Sequence, residues 1–112
     1  MHDPSAITGW HAHVYFDAAT EAQARALCEA ARERFGVEMG RMHPGPVGPH
    51  PRGSCQLGCT PAQFAAALPF LALNRDGLTV FAHPQTGDRL ADHRDRAVWL
   101  GESLALDLSI FD

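Results

Sequence analysis

Several things this chain of 112 residues lacks narrow its function before any motif is considered. It has no basic excess: the formal net charge is -4 with histidine neutral, and the arginines are scattered. A partner rich in phosphate, such as nucleic acid, is therefore not expected. No apolar run approaches the roughly 20 residues that a membrane span requires. The opening MHDPSAITG has no basic stretch leading into an apolar one, so no secretory signal is expected and a cytoplasmic location is the default. Cysteine is sparse and odd in number, at Cys28, Cys55 and Cys59. A disulfide framework is normally even and denser, and Cys55 and Cys59 are too far apart for a C-x-x-C knuckle, so all three read as reduced core residues.

What is present suits one compact domain over residues 1–112, with residues 1–8 expected to be disordered. The segment from about Trp10 to Phe16 reads as a strand. TEAQARALCEAARERFG then reads as a helix, with Thr20 and Gln23 forming a T-x-x-Q capping box and Gly36 ending it. A second strand is expected over Val37–His43, and a stiff proline-rich loop over Pro44–Gly53. SCQLGC is a short strand. Thr60-Pro61-Ala62-Gln63 opens a second helix whose run FAAALPFLAL is expected to be buried on most sides and kinked at Pro69. LTVFAHP is a fourth strand, DHRDRAVWLG a short third helix, and SLALDLSIF an apolar tail, either strand or extended arm. The order β-α-β-β-α-β predicts a ferredoxin-like α+β fold: an antiparallel sheet with helices on one face, then a C-terminal helix and extended tail.

Seven histidines is the unusual feature of the composition. Side chains alternate across a strand, so Trp10, Ala12, Val14 and Phe16 share one face and His11, His13 and Tyr15 the other. The same alternation sends Leu78, Val80 and Ala82 toward the helices and Thr79, Phe81 and His83 away from them. In this topology the first strand is central and antiparallel to the fourth, which sets His83 beside His11. Cross-strand Cβ atoms lie only ~5 Å apart. Three imidazoles would then converge on the open face, dense enough for nitrogens to reach ~2.0–2.1 Å from a zinc-sized ion. His50 joins them only if its proline-rich loop folds back over the sheet, as acid/base group or further ligand. His93, on the third helix, is a further candidate for the pocket.

Plainer accounts compete with each assignment. A lone strand histidine is ordinarily a surface or hydrogen-bonded group, Tyr15 more often packs than reacts, and DRLADHRDRA reads as a solvated helical face. Imidazole suits zinc, iron, copper and nickel alike, and Glu38, Asp88 and Asp92 are the carboxylates that could complete a site. A zinc hydrolase or lyase, and a dimeric module that binds a ligand or metal without catalysis, both remain open on these residues alone.

The stretches GWHAHVYFD, VGPHP, FLALNRDGLTVFAHPQTGDRLADH and WLGESLALDLSIF, in this order, resemble the DOPA 4,5-dioxygenase family from about Trp10 to Phe111. The resemblance implies a ferredoxin-like subunit, a homodimer, and a mononuclear iron(II) centre, with zinc or another divalent metal able to occupy it after purification. It implies extradiol opening of a DOPA-like catechol by O2. Its matching histidines are His11, His13, His50, His83 and His93. On that basis His11, His13 and His83 are the expected metal ligands. His50 is the expected acid/base group with His93 as second candidate, and Tyr15 and Phe81 are expected to pack against the aromatic ring.

Overall fold

The computed structural model describes residues 1–112. Its elements are β1 (Gly9–Phe16), α1 (Glu21–Phe35), β2 (Glu38–Met39), β3 (Gly53–Cys59), α2 (Pro61–Asn74), β4 (Val80–Gln85), α3 (Arg89–Arg94) and β5 (Val98–Leu100). The five strands form one antiparallel sheet in the order β2-β3-β1-β4-β5. The first four follow the ferredoxin-like arrangement, and β5 extends the edge beside β4.

The two faces of β1 divide as its alternation dictates. Ala12, Val14 and Phe16 enter a core with Ala24, Leu27, Cys28 and Ala31 of α1, Phe64 and Leu71 of α2, and Leu78, Val80 and Ala82. Trp10 completes this face by stacking on Phe64, with ring centroids 4.2 Å apart. All three cysteines are free and buried on the helix side. Burying these apolar groups fixes the register of β1, since a slip of one residue would exchange its two faces.

Several local expectations change. Residues 1–8, expected to be disordered, carry a 3-10 turn at Pro4–Ala6 capped by Asp3, and the Thr8 N–H extends the sheet by donating to Gln85 O. Thr20 does not cap α1 with its side chain. Asp17 accepts hydrogen bonds from the Thr20 N–H and hydroxyl, and Gln23 instead donates to the carbonyls of Arg75 and Asp76. The capping box does form at Thr60 and Gln63. On α2 only Phe64, Ala67 and Leu71 are buried, so its apolar run presents a stripe to the core rather than most of its surface.

β2 is much shorter than Val37–His43. Pairing runs from Met39 opposite Leu57 and resumes at His43 opposite Ser54. One strand advances four residues while the other advances three. The extra residue is a bulge between Gly40 and Met42.

The expected helix over Asp92–Gly101 is replaced by α3, a turn, and β5. Val80, Phe81 and Ala82 pair with Leu100, Trp99 and Val98. The β-branched and aromatic run Val98–Trp99 fits a half-buried pleat, and an open edge of β4 was there to receive it. β5 stops opposite Ala82 because Pro84 follows. The carbonyls of the odd-numbered Thr79 and Gln85 accept from Tyr15 of β1 and from Thr8 just ahead of it, so Pro84 turns its missing donor outward, toward the side where β5 has ended.

Candidate metal centre

The face of the sheet away from the helices carries the histidines. His11 pairs directly with His83 across β1 and β4, and His13 with Phe81. One nitrogen from each of His11, His13 and His83 lies within 4.8 Å of the others. His13 and His83 are 4% and 3% exposed, and their Nε2 atoms are 3.3 Å apart.

The tautomer of His83 follows from its neighbour. Its Nδ1 lies 3.0 Å from Pro84 O, and a carbonyl only accepts, so the ring proton sits on Nδ1 and Nε2 carries the lone pair that faces His13. This is the arrangement in which an outer partner orients a metal-binding imidazole. Burial first, then repulsion from His93 and His11, pushes His83 down to about 4, against the hydrogen bond to Pro84. Burial, with the crowding of His50 and His83, holds His13 well below the ordinary imidazole range. His11 is lowered less, mainly by burial. Three imidazoles whose ring nitrogens converge in this way suit a divalent cation. Two nitrogens each ~2.1 Å from one ion in tetrahedral geometry would lie ~3.4 Å apart, close to the spacing between His13 and His83.

His50 does come back over the sheet. Its N–H donates to Val47 O at 3.0 Å, closing a turn through Gly48, at φ +54°, and Pro49. Gly53, at the other end of the loop, admits the carbonyls of His43 and Pro44 to 2.9 Å from where a Cβ would stand. The tail fastens the loop, for the Asp107 N–H donates to Pro49 O at 2.9 Å. The His50 ring then lies 4.2 Å from that of His13, centroid to centroid. Its Nδ1 is 2.7 Å from the hydroxyl of Tyr15. Burial raises Tyr15, so the phenol keeps its proton, and the hydroxyl has no other partner. Either direction of this hydrogen bond satisfies both groups: the phenol donates to a bare Nδ1, or accepts from Nδ1–H and leaves the Nε2 lone pair for the pocket. Burial and the neighbouring His93 and His43 push His50 down to about 4.

His93 is brought in by α3. Its Nδ1–H donates to Arg89 O at 2.7 Å, and its ring lies 3.8 Å from that of His83 and 4.3 Å from that of Phe111. Asp92, 3% exposed, anchors this short helix: it accepts from the Thr86 N–H and hydroxyl, both at 2.8 Å, and from Arg96 at 2.9 Å. The stretch expected to be solvated thus turns Asp92 and His93 inward. Of the carboxylates considered as ligands, Asp92 is saturated by these partners and Asp88 caps α3 by accepting from Ala91, while Glu38 reaches over Gly58 beside His11 and opposes the lowering of that imidazole without lining the pocket.

These groups surround a pocket of about 480 Å³ lined by His11, His13, His50, His83 and His93, with Val47, Ile110 and Phe111 as its apolar wall. Tyr15 and Phe81 are not on that wall, contrary to expectation. Both are fully buried beneath it, Phe81 stacking on Trp99 at 4.6 Å and Tyr15 reaching the pocket only through His50. Sequence reasoning missed the tail as a pocket wall, since nothing in SLALDLSIF indicates a long-range contact to Pro49 or His93.

A ferredoxin-like sheet with a three-imidazole donor set on its free face defines a candidate metalloprotein centre. Residues 10–110 match the Dopa 4,5-dioxygenase family, and the chain belongs to that family. It is similar to a DOPA 4,5-dioxygenase of Amanita muscaria, 34% identical over 94% of this chain and 50% of that one. It is similar also to an uncharacterised 21.2 kDa protein of Botryotinia fuckeliana, 37% identical over 88% of this chain and 60% of that one. The chain therefore spans about half the length of these curated relatives. A crystal structure of a candidate dioxygenase from Nostoc punctiforme superposes with a TM-score of 0.95 at 45% identity, covering 99% of this chain and 96% of the other. No helix is long and apolar enough to cross a membrane.

Proposed function

We propose that this protein is a metal-dependent dioxygenase that opens a DOPA-like catechol by extradiol cleavage, with iron(II) held by His11, His13 and His83. The observation that carries the reading is the convergence of these three donors within 4.8 Å in a pocket that His50 and His93 also line. Family membership supports the dioxygen chemistry. When bound, iron(II) supplies Lewis acidity toward the catechol hydroxyls and redox chemistry with dioxygen.

The chain's own residues do the rest. The pocket volume falls in the range of small-molecule sites, and Val47, Ile110 and Phe111 offer an apolar surface to an aromatic ring. His50 takes a hydroxyl proton from the catechol and later returns one, with His93 as the second candidate. Tyr15 is a positioning residue: its hydroxyl can donate to or accept from His50 Nδ1, and so serves both tautomers. Cleavage inserts both atoms of dioxygen, breaks the ring carbon–carbon bond beside the diol, and leaves an aldehyde and a carboxylic acid. The reading includes a homodimer and no nucleic-acid partner.

The test is to load the protein with iron(II) under anaerobic conditions, add catechols and air, and follow oxygen uptake with the yellow colour of a ring-opened product. Turnover is expected. No turnover on any catechol, with metal confirmed bound, contradicts the proposal, and a bound ligand without oxygen uptake marks a non-catalytic binding module.

A further inference from the structure

The charges around the pocket are unequal. Two lining residues are ionic, Arg89 and Asp92. Asp92 is fully engaged by Thr86 and Arg96. Arg89 makes no ion pair, and its side chain makes no hydrogen bond within the chain. Its guanidinium is exposed at the first position of α3 and rests over the ring of Phe111, 4.9 Å from the centroid. Its own backbone carbonyl holds His93. The cation is therefore held on the rim by the face of the Phe111 ring, while all its donors remain free.

We propose that Arg89 is a specificity-determining residue that binds a carboxylate on the side chain of the catechol substrate. This rests on the catechol reading above. The ring is held over the histidines by its hydroxyls, and the acidic substituent points out past Phe111 to the rim. A guanidinium presents paired N–H donors matched to a carboxylate, so the contact selects for an anion and for its orientation. No uncommitted carboxylate lines the pocket to receive an ammonium. Gln56 and Gln85 supply only neutral amides there.

The test is anaerobic binding to the zinc-loaded protein, in which the metal is redox-inert and no turnover obscures affinity. Three ligands are titrated: 3,4-dihydroxyphenylacetate, 4-methylcatechol, which lacks the carboxylate, and dopamine, which carries an ammonium instead. Wild type should bind the carboxylate about 10- to 100-fold more tightly than either other ligand, the range expected for a hydrogen-bonded charge. Arg89→Gln should erase that preference while leaving 4-methylcatechol affinity unchanged, and Arg89→Lys should restore part of it. In turnover, Arg89→Gln should raise KM for the carboxylate with little change in kcat. Equal binding of all three ligands to wild type, or a preference that survives Arg89→Gln, overturns the role of Arg89 and leaves the catechol reading standing. Failure of every catechol to bind overturns the catechol reading and this inference with it.

Discussion

The hydroxyl of Tyr15 and Nδ1 of His50 are 2.7 Å apart, joining the centre of the sheet to the proline-rich loop folded over it. The phenol is fully buried, and its one hydrogen bond holds the orientation of His50. Tyr15→Phe removes that partner and leaves Nδ1 unpaired in a buried place, at a cost of about 1–3 kcal/mol in stability. The expected result is a lower kcat, a nearly unchanged KM and an unchanged metal affinity. An unaltered kcat would show that His50 needs no such support.

Replacing the three converging imidazoles singly separates ligands from neighbours. Each of His11→Ala, His13→Ala and His83→Ala should weaken zinc or iron(II) binding by more than the 10- to 100-fold typical of an outer partner. His50→Ala should keep the metal and lose turnover. Removing metal from the wild type should lower thermal stability, since an ion that binds only the folded state stabilises by about 2.7 kcal/mol at a hundred times its Kd. Metal titration by calorimetry distinguishes these variants, and unchanged affinity in His83→Ala would remove it from the site.

Acid should destabilise the metal-free protein. His50 and His83 sit near 4 when folded and at the ordinary 6.5 when unfolded. Between these values the unfolded chain binds more protons, so stability falls as pH drops through that window and is fully present above it. Each group accounts for a loss on the order of 3 kcal/mol, and His13 shifts in the same direction. Urea midpoints at pH 7 and pH 5 measure the effect, and identical midpoints would contradict it.

A homodimer is expected from the family resemblance, and its surface needs a new account. Tyr15 and Phe81, the aromatic residues of the sheet's free face, are already buried by the chain's own Trp99 and His50 and offer a second subunit nothing to cover. Leu73 on α2 is 85% exposed and is a better candidate for the contact. Light scattering should give twice the mass of one chain, and Leu73→Asp should reduce it. A wild-type monomer at working concentration rejects the dimer.

The arrangement of His11, His13 and His83 was legible because the two-residue period of a strand and the topology of the sheet together determine faces and neighbours. Ala12 and Val14 had to face the helices, so the imidazoles between them had to face away. β5 was not legible. Val98–Leu100 is three residues long and becomes a strand only because β4 offers an edge. The strap from Asp107 to Pro49 and the clamp of Thr86 and Arg96 on Asp92 are likewise contacts that no local pattern announces. At Thr20 the local signal was real, but Asp17 offered a charged acceptor three residues earlier, took the Thr20 N–H that Gln23 would have received and engaged the Thr20 hydroxyl.

The most direct test of the central claim is turnover of a catechol by the iron(II)-loaded protein under isotopically heavy dioxygen, with the product analysed by mass spectrometry. The account predicts a ring-opened product that carries both labelled oxygen atoms and forms in step with oxygen uptake. A product that carries no label, or no oxygen uptake by protein with iron(II) confirmed in place, would contradict it.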